Sequence, residues 1–415
     1  MSFLRSCGCS GLTTGQSRKD SFKNAADLLP RLLYIGDVPV EASVHGSALL
    51  HRLFEDYPRQ NLFVIEWFQS SLPERRIPGS EYRLFKPIWS RLLWTRFNRW
   101  VSPFATFRAA AYWRRVGRML GGFQPEAVIT VVHGFGWLAA AEYAGRNGVP
   151  LHLIIHDEQV DVAQRLAIER RWVDRALRHW YPRAASRLCI SPYMEEVYGR
   201  RYGAGGDVLY PSRAADALVY DEPPERLRGS CEPFTVAFAG SVGVEYARAL
   251  RRIARALRAQ LGRLVVYGPL AGDAVHQYLT EPNIELRGMI NSTTIIQECR
   301  RDAHAMYIPM SFAEGDRINA EIAFPSKLTD STAVGIPLII NGPEYCSAVR
   351  WARTNPDVAE IVTDDTVEAL ENAISRLQDP ERRCRLASAA IRVGRETFSF
   401  EHNRNVLHSR LRDFY

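Results

Sequence analysis

No stretch of this 415-residue chain approaches the ~20 consecutive apolar residues of a membrane-spanning helix, so none is expected. Cysteine is sparse. Cys7, Cys9, Cys189, Cys231, Cys299, Cys346 and Cys384 are scattered, with no Cys-x-x-Cys pair. That spacing speaks against a disulfide frame and a zinc site, and suits reduced thiols in a cytosolic protein. Met1 to Asn24 is polar and lacks the apolar centre of a secretory signal, so residues 1–29 are expected to form a disordered lead. Three catalytic signatures are missing: Gly-x-x-x-x-Gly-Lys-Ser/Thr, Gly-x-Ser-x-Gly and His-Glu-x-x-His. With no Asp-x-Asp run either, no metal ligand is assigned and any catalysis is expected to proceed without a divalent ion.

Acid is absent from one region. Between Arg83 and Arg118 stand nine cations and no carboxylate, interleaved with Trp89, Trp94, Phe97, Trp100, Phe104, Phe107 and Trp113. Arginine mixed with large rings on helical spacing suits a helix lying on an anionic membrane surface. It equally suits an amphipathic helix pair with a solvated arginine face and an aromatic core face. A nucleic-acid surface ranks third. No recognised nucleic-acid motif accompanies the patch, and no nucleic-acid partner is expected.

What is present reads as an α/β protein. Hydrophobic residues make up 46% and charged residues 24%, and the length fits two domains of roughly 200 residues. Apolar strand-like runs at 31–37, 62–65, 127–132, 150–155 and 186–191 alternate with helical patterns at 41–54, 139–147 and 192–202. The prolines between Tyr210 and Pro233 interrupt this rhythm. A second alternation follows: strands at 235–239, 264–267, 284–288, 305–308, 338–340 and 361–363, with helices at 246–261, 292–302 and 367–377. The pattern implies two parallel sheets covered on both faces. The expected domains are 30–212 and 234–393, joined by a linker at 213–233. A C-terminal helix at 394–415 is expected to pack back on the first domain. Ligands of such sheets bind at the carboxyl ends of the strands, so a cleft between the domains is the expected site.

The segment Phe324-Pro325-Ser326-Lys327-Leu328-Thr329-Asp330, continuing to Gly335-Ile336-Pro337, reads as a loop entering a short helix and then a buried strand. A helix start offers free N–H groups to phosphate, Lys327 adds positive charge, and Asp330 can accept bonds from paired sugar hydroxyls. An ordinary helix–strand unit with a chance Lys and Asp has the same pattern.

This segment resembles the nucleotide-sugar site of retaining glycosyltransferases of the GT-B fold, the large family-four group. Pro-Ser-Lys-Leu opens the family's pattern, an acidic residue follows two after the Leu, and Ala-x-Gly-x-Pro closes it. The resemblance implies two Rossmann-like domains facing across a cleft. It implies sugar transfer from a nucleotide-diphosphate donor to an acceptor hydroxyl, with no cofactor beyond the donor. Asp330 stands where the family usually has the Glu that grips the ribose. Eight positions earlier, where a second Glu normally meets the donor sugar, this chain has Ile322; Glu321 and Glu314 are the nearest carboxylates. His156, followed by Asp157 at an expected strand end, matches a His that contacts the donor sugar, or is a structural His at a turn. His133 stands in the same position on its strand. Gly36 and the loop to Gly46 and Ser47 resemble the family's first glycine loop. Gly240 and Ser241 match a diphosphate loop in which relatives often carry an Arg. Lys327, Arg317 and backbone amides are therefore left to meet the phosphates. Arg287, Gly288 and Met289 match the loop whose backbone binds the base. Expected partners are a nucleotide sugar, an acceptor that is lipid-linked or a saccharide, and an anionic membrane surface through 83–118. The expected location is cytoplasmic, peripheral at the inner membrane face. A GT-B epimerase and a non-catalytic nucleotide-sugar binder are the alternatives.

Overall fold

The computed structural model describes residues 29–42, 45–160, 166–230 and 233–414. The expected disordered lead, with Cys7 and Cys9, and also Cys231 lie almost wholly outside them. The first sheet contains β1 (Leu32–Gly36), β2 (Leu62–Trp67), β3 (Glu81–Phe85), β4 (Ala127–Val131), β5 (Leu151–Ile155), β6 (Ser186–Cys189) and β7 (Asp207–Val208). The second contains β8 (Thr235–Ala239), β9 (Arg263–Tyr267), β10 (Ile284–Gly288), β11 (Ala305–Pro309), β12 (Leu338–Asn341) and β13 (Glu360–Val362). Their spatial orders are β3-β2-β1-β4-β5-β6-β7 and β10-β9-β8-β11-β12-β13, and every pairing is parallel. This is the two-domain α/β architecture that the alternation of apolar runs implies. β1, β4 and β5 are buried along their whole length, as befits strands with helices on both faces.

The order of each sheet reverses direction beside its first strand, which opens a crevice at the carboxyl edge. In the first lobe β1, β4 and β5 end there, and helices His45–Phe54 and Gly136–Asn147 start from it. In the second lobe β8 ends there, and helices Val244–Arg258 and Lys327–Val334 start from it.

The lobes are tied at their base. Arg213, 3% exposed, donates from Nε to the Thr329 carbonyl (3.1 Å) and from Nη2 to Thr332 Oγ1 (2.8 Å). Its own N–H reaches the Phe398 carbonyl (2.9 Å). Residue 393 lies inside helix Pro380–Phe398; the chain breaks at Ser399, and helix Phe400–Arg412 returns to the first lobe. There Leu407 and Leu411 join a core with Leu32 and Val64, while Arg404 pairs with Asp56 (2.7 Å) and Arg410 with Asp207 (2.5 Å). The described cysteines are unpaired thiols, with Cys189, Cys299 and Cys346 buried. Among the described residues no helix is long and apolar enough to cross a membrane.

The basic-aromatic region divides: Ala109 and Val116 join the core and Trp89 and Trp113 are half-buried, while the other five rings face water. It folds as a 3-10 turn Ile88–Trp94 and helices Asn98–Ala109 and Trp113–Met119. Ala105, Thr106 and Ala109 face inward, while Ile88 (94% exposed), Trp94 and Trp100 (74% each), Phe97, Phe104 and Phe107 face water. All nine cations between 83 and 118 are exposed as well.

Candidate active site

On the second lobe the site is built around the start of helix Lys327–Val334. Gly335 ends this helix in the left-handed region (φ 75°), which turns the chain into β12 and explains the Gly-x-Pro ending. At the other end Lys327 extends across the Gly240–Ser241 turn. A Cβ at Gly240 would collide with the Lys327 stem, and φ there is 147°, so glycine is required twice over. Lys327 Nζ then sits 3.9 Å from the centre of the Tyr246 ring, a cation–π contact from helix Val244–Arg258. Lys327, Gly240 and Ser241 thus converge at one place, with Ser326 exposed beside them.

Asp330 lies in the first turn of the same helix with its side chain 40% exposed. Its carboxylate is 3.8 Å from the Arg52 guanidinium of the first lobe, which also donates to the Ser212 carbonyl (2.8 Å). Arg213 lies behind it: burial lowers that guanidinium to about 10, while the charge of Asp330 pulls the other way. Asp330 is therefore at the junction of the lobes, held between two arginines.

Arg287 ends β10. Its guanidinium is taken up by Glu285 (2.7 Å), Glu298 (2.7 Å) and the Tyr267 hydroxyl (2.9 Å), and these bonds, led by that to Glu285, raise it above its usual range. The Gly288 carbonyl is taken by the Gly268 N–H (2.7 Å). What this corner presents to solvent is the backbone beyond Gly288 and the Met289 side chain, 69% exposed.

On the first lobe the adjacent strands β4 and β5 carry His133 and His156 just past their ends. The two rings lie 5.8 Å apart, and Asp157 Oδ2 is 3.5 Å from His156 Nε2 and 4.0 Å from His133 Nδ1. Burial lowers the His156 imidazole from its usual range, against the opposing pull of Asp157. Gly46, at the start of helix His45–Phe54, lies against the His156 ring: a Cβ there would be 3.4 Å from Cε1. Ser47 follows it, half-buried. Gly36 is fixed by the Tyr34 hydroxyl, which fills the space a side chain would need and donates to the Val38 carbonyl (2.6 Å). Asp37 receives the Phe135 (2.8 Å) and Gly136 (2.5 Å) N–H groups, which ties the β1 turn to the helix start after His133.

The remaining carboxylates divide. Ile322 is 2% exposed and its carbonyl accepts from Ser191 Oγ (2.5 Å), so the position filled by Glu in the resembling family is core here. Glu321 is half-buried. Glu314 is on an exposed turn and pairs with Arg317 (3.3 Å), whose guanidinium lies over the Tyr345 ring. The structure brings Lys327 to Gly240 and Ser241, and His133 to His156, Asp157 and Gly46; it does not join Glu314 to either group. Arg52, Arg213, Asp37 and Asn319 were not anticipated. Asn319 Oδ1 accepts the Glu158 N–H (3.4 Å), a contact across the lobes one residue from Asp157. Its place two before Glu321 was the only signal available.

No protein-family model and no curated protein matches the chain. Solved structures do. HepE from Anabaena, determined with UDP, is 12% identical, with a TM-score of 0.64 over 92% of this chain and 99% of its own. The lipopolysaccharide outer core galactosyltransferase WaaB is 17% identical, with a TM-score of 0.59 over 91% and 99%. Sucrose-phosphate synthase from Thermosynechococcus elongatus is 15% identical, with a TM-score of 0.61 over 92% and 98%. The chain has the GT-B fold. HepE has also been determined with UDP-glucose.

Proposed function

We propose that this chain is a glycosyltransferase that moves a sugar from a nucleotide-diphosphate donor to an acceptor hydroxyl, with retention of configuration. The observation that carries the proposal is the convergence of Lys327 with the Gly240–Ser241 turn, one helical turn from Asp330, at the edge facing the first lobe. Lys327 and the Ser241 amide meet the departing diphosphate, Asp330 takes the ribose hydroxyls, and the backbone at 288–289 takes the base. Charge develops on the leaving phosphate, so fixed donors aimed there lower the barrier most. This chemistry uses no divalent ion. Buried beside Gly46, the His156 ring binds the donor sugar, and the departing phosphate itself helps deprotonate the acceptor. Asn319 and Glu158 bridge the lobes next to it, which holds donor and acceptor in register and excludes water. HepE and WaaB, as structural neighbours of the same fold, support the donor class and the reaction type.

A panel of nucleotide sugars with a lipid or saccharide acceptor tests this. Release of nucleotide diphosphate that requires acceptor is the expected result. Turnover without acceptor would indicate an epimerase, and binding without either would indicate a non-catalytic receptor; both contradict the proposal.

We further propose that the acceptor is presented at an anionic membrane, with the protein peripheral at the inner face and acting in cell-surface polysaccharide or glycoconjugate synthesis. The outward aromatic-arginine face supports this, since monomeric proteins seldom expose so many large rings together. Ile168 and Trp172 of helix Ala167–Trp180 extend the face, with Phe107 and Trp172 in ring contact (4.8 Å). A path of rings runs inward from Phe104 to Trp89 (6.4 Å) and on to Phe135 (6.3 Å), two residues from His133. Sedimentation with anionic vesicles should recover the protein, and Trp94→Ser with Trp100→Ser should reduce recovery several-fold. Equal, near-zero recovery with anionic and neutral vesicles would remove this part.

A further inference from the structure

The His133–His156–Asp157 group has a capacity beyond sugar binding. Its three candidate ligand atoms, one from each residue, all lie within 4.8 Å of one another. Two imidazoles and a carboxylate on neighbouring strand ends form the donor set of many sites for borderline-soft divalent ions. An ion at ~2.0–2.2 Å from each donor needs ligand atoms a little over 3 Å apart. His156 Nε2 and Asp157 Oδ2 are already at 3.5 Å, and His133 Nδ1 is 4.0 Å from the same oxygen. The closing movement falls on the two half-exposed side chains, His133 (47%) and Asp157 (45%). His156, packed against Gly46, is the fixed member. His133 and Asp157 are half-exposed, so an ion can enter and keep water on its remaining position.

We propose that His133, His156 and Asp157 bind one transition-series divalent ion such as zinc, and that this ion blocks glycosyl transfer. The preference is for zinc, cobalt or nickel over magnesium or calcium, because two of three donors are imidazole nitrogens. The ion sits on the sugar side of the cleft, away from Lys327 and the diphosphate turn, and therefore competes with the donor sugar instead of assisting the leaving group. The blocking effect rests on the transferase reading above; ion binding itself does not.

Calorimetric titration of the full chain with zinc alone, with no nucleotide sugar present, reads the ion by itself. One equivalent should bind, with affinity falling at least tenfold in His133→Ala and in Asp157→Ala, and with magnesium giving no heat. Cobalt should give the visible absorption of a low-coordinate nitrogen–oxygen site, lost in the same variants. Zinc binding that is unchanged in both variants, or absent in the wild type, overturns the site. Both altered residues are half-exposed, so a thermal melt equal to wild type confirms that a lost signal is not lost folding. In a transfer assay zinc should raise the apparent KM for donor in the wild type, and much less in Asp157→Ala. Binding without inhibition removes only the blocking role; inhibition equal in wild type and variant removes the assignment of that role to these residues.

Discussion

Replacing Asp330 by Ala separates recognition from architecture. The carboxylate's visible partner is Arg52 at 3.8 Å, beyond hydrogen-bond distance, and the side chain is 40% exposed. Ion pairs of that kind contribute ~0–1 kcal/mol. Arg52 keeps its bond to the Ser212 carbonyl, and the buried Arg213 keeps its bonds to Thr329 and Thr332. Unfolding should therefore shift by no more than a few degrees. The ribose contact is different: hydrogen bonds to a charged acceptor contribute about 1.5–3 kcal/mol each. Losing two, partly offset by water, amounts to about 3 kcal/mol, or on the order of a hundredfold in Kd. Calorimetric titration of wild type and variant with UDP, or with whichever nucleotide the donor screen selects, measures this directly. Equal affinity would refute the reasoning. So would a weak variant whose melting temperature collapses, because the lost affinity would then be lost structure.

Gly240→Ala should push the Lys327 stem off Tyr246 and weaken nucleotide-diphosphate binding more than nucleoside binding; a proportionate loss of both would argue against a phosphate role for this turn. Arg213→Met strips two bonds from helix Lys327–Val334, leaving the Thr329 carbonyl only the Thr332 hydroxyl at 3.0 Å from outside the helix backbone. It should cost on the order of 3 kcal/mol, read as a lower urea midpoint, and an unchanged midpoint would show that the linker does not anchor this helix. Stability should also fall with acid. Burial lowers His152 and His408 to about 4 from an ordinary value of 6.5, so between those values the unfolded chain binds more protons than the folded one. Their contribution, up to about 3 kcal/mol each, is complete above pH 6.5 and lost progressively as pH falls toward 4. A melting temperature that falls less steeply across that window in His152→Asn than in wild type would confirm the assignment for His152, and identical slopes would contradict it.

Buried strands were legible because both faces pack: β1, β4, β8 and β12 are largely apolar runs. β3 escaped notice because its exposed Glu81 and Arg83 leave only Phe85 buried on an edge strand. Helix Ala167–Trp180 was hidden by its charge, with Val173 and Leu177 as its few apolar anchors. The segment at 324–337 was legible as structure, since a helix start after Pro325 and a left-handed glycine stop are local features. Arg52, Arg213 and Asp37 were not. Each acts on a partner about 100 or more residues away, and nothing in the surrounding residues marks such a pairing. The aromatic-arginine segment shows a limit of a different kind. Helical spacing says which residues share a face, but not whether that face meets core or solvent. Only packing decides this, and it put Ala105 and Ala109 inside and Trp100 and Phe104 out.

The most direct test is a crystal structure of the chain soaked with the nucleotide diphosphate that its donor screen selects. Phosphates should lie over the Gly240–Ser241 turn beside Lys327, and ribose hydroxyls within hydrogen-bond reach of the Asp330 carboxylate. A nucleotide bound elsewhere, with Asp330 still facing Arg52 and no sugar near it, would contradict it.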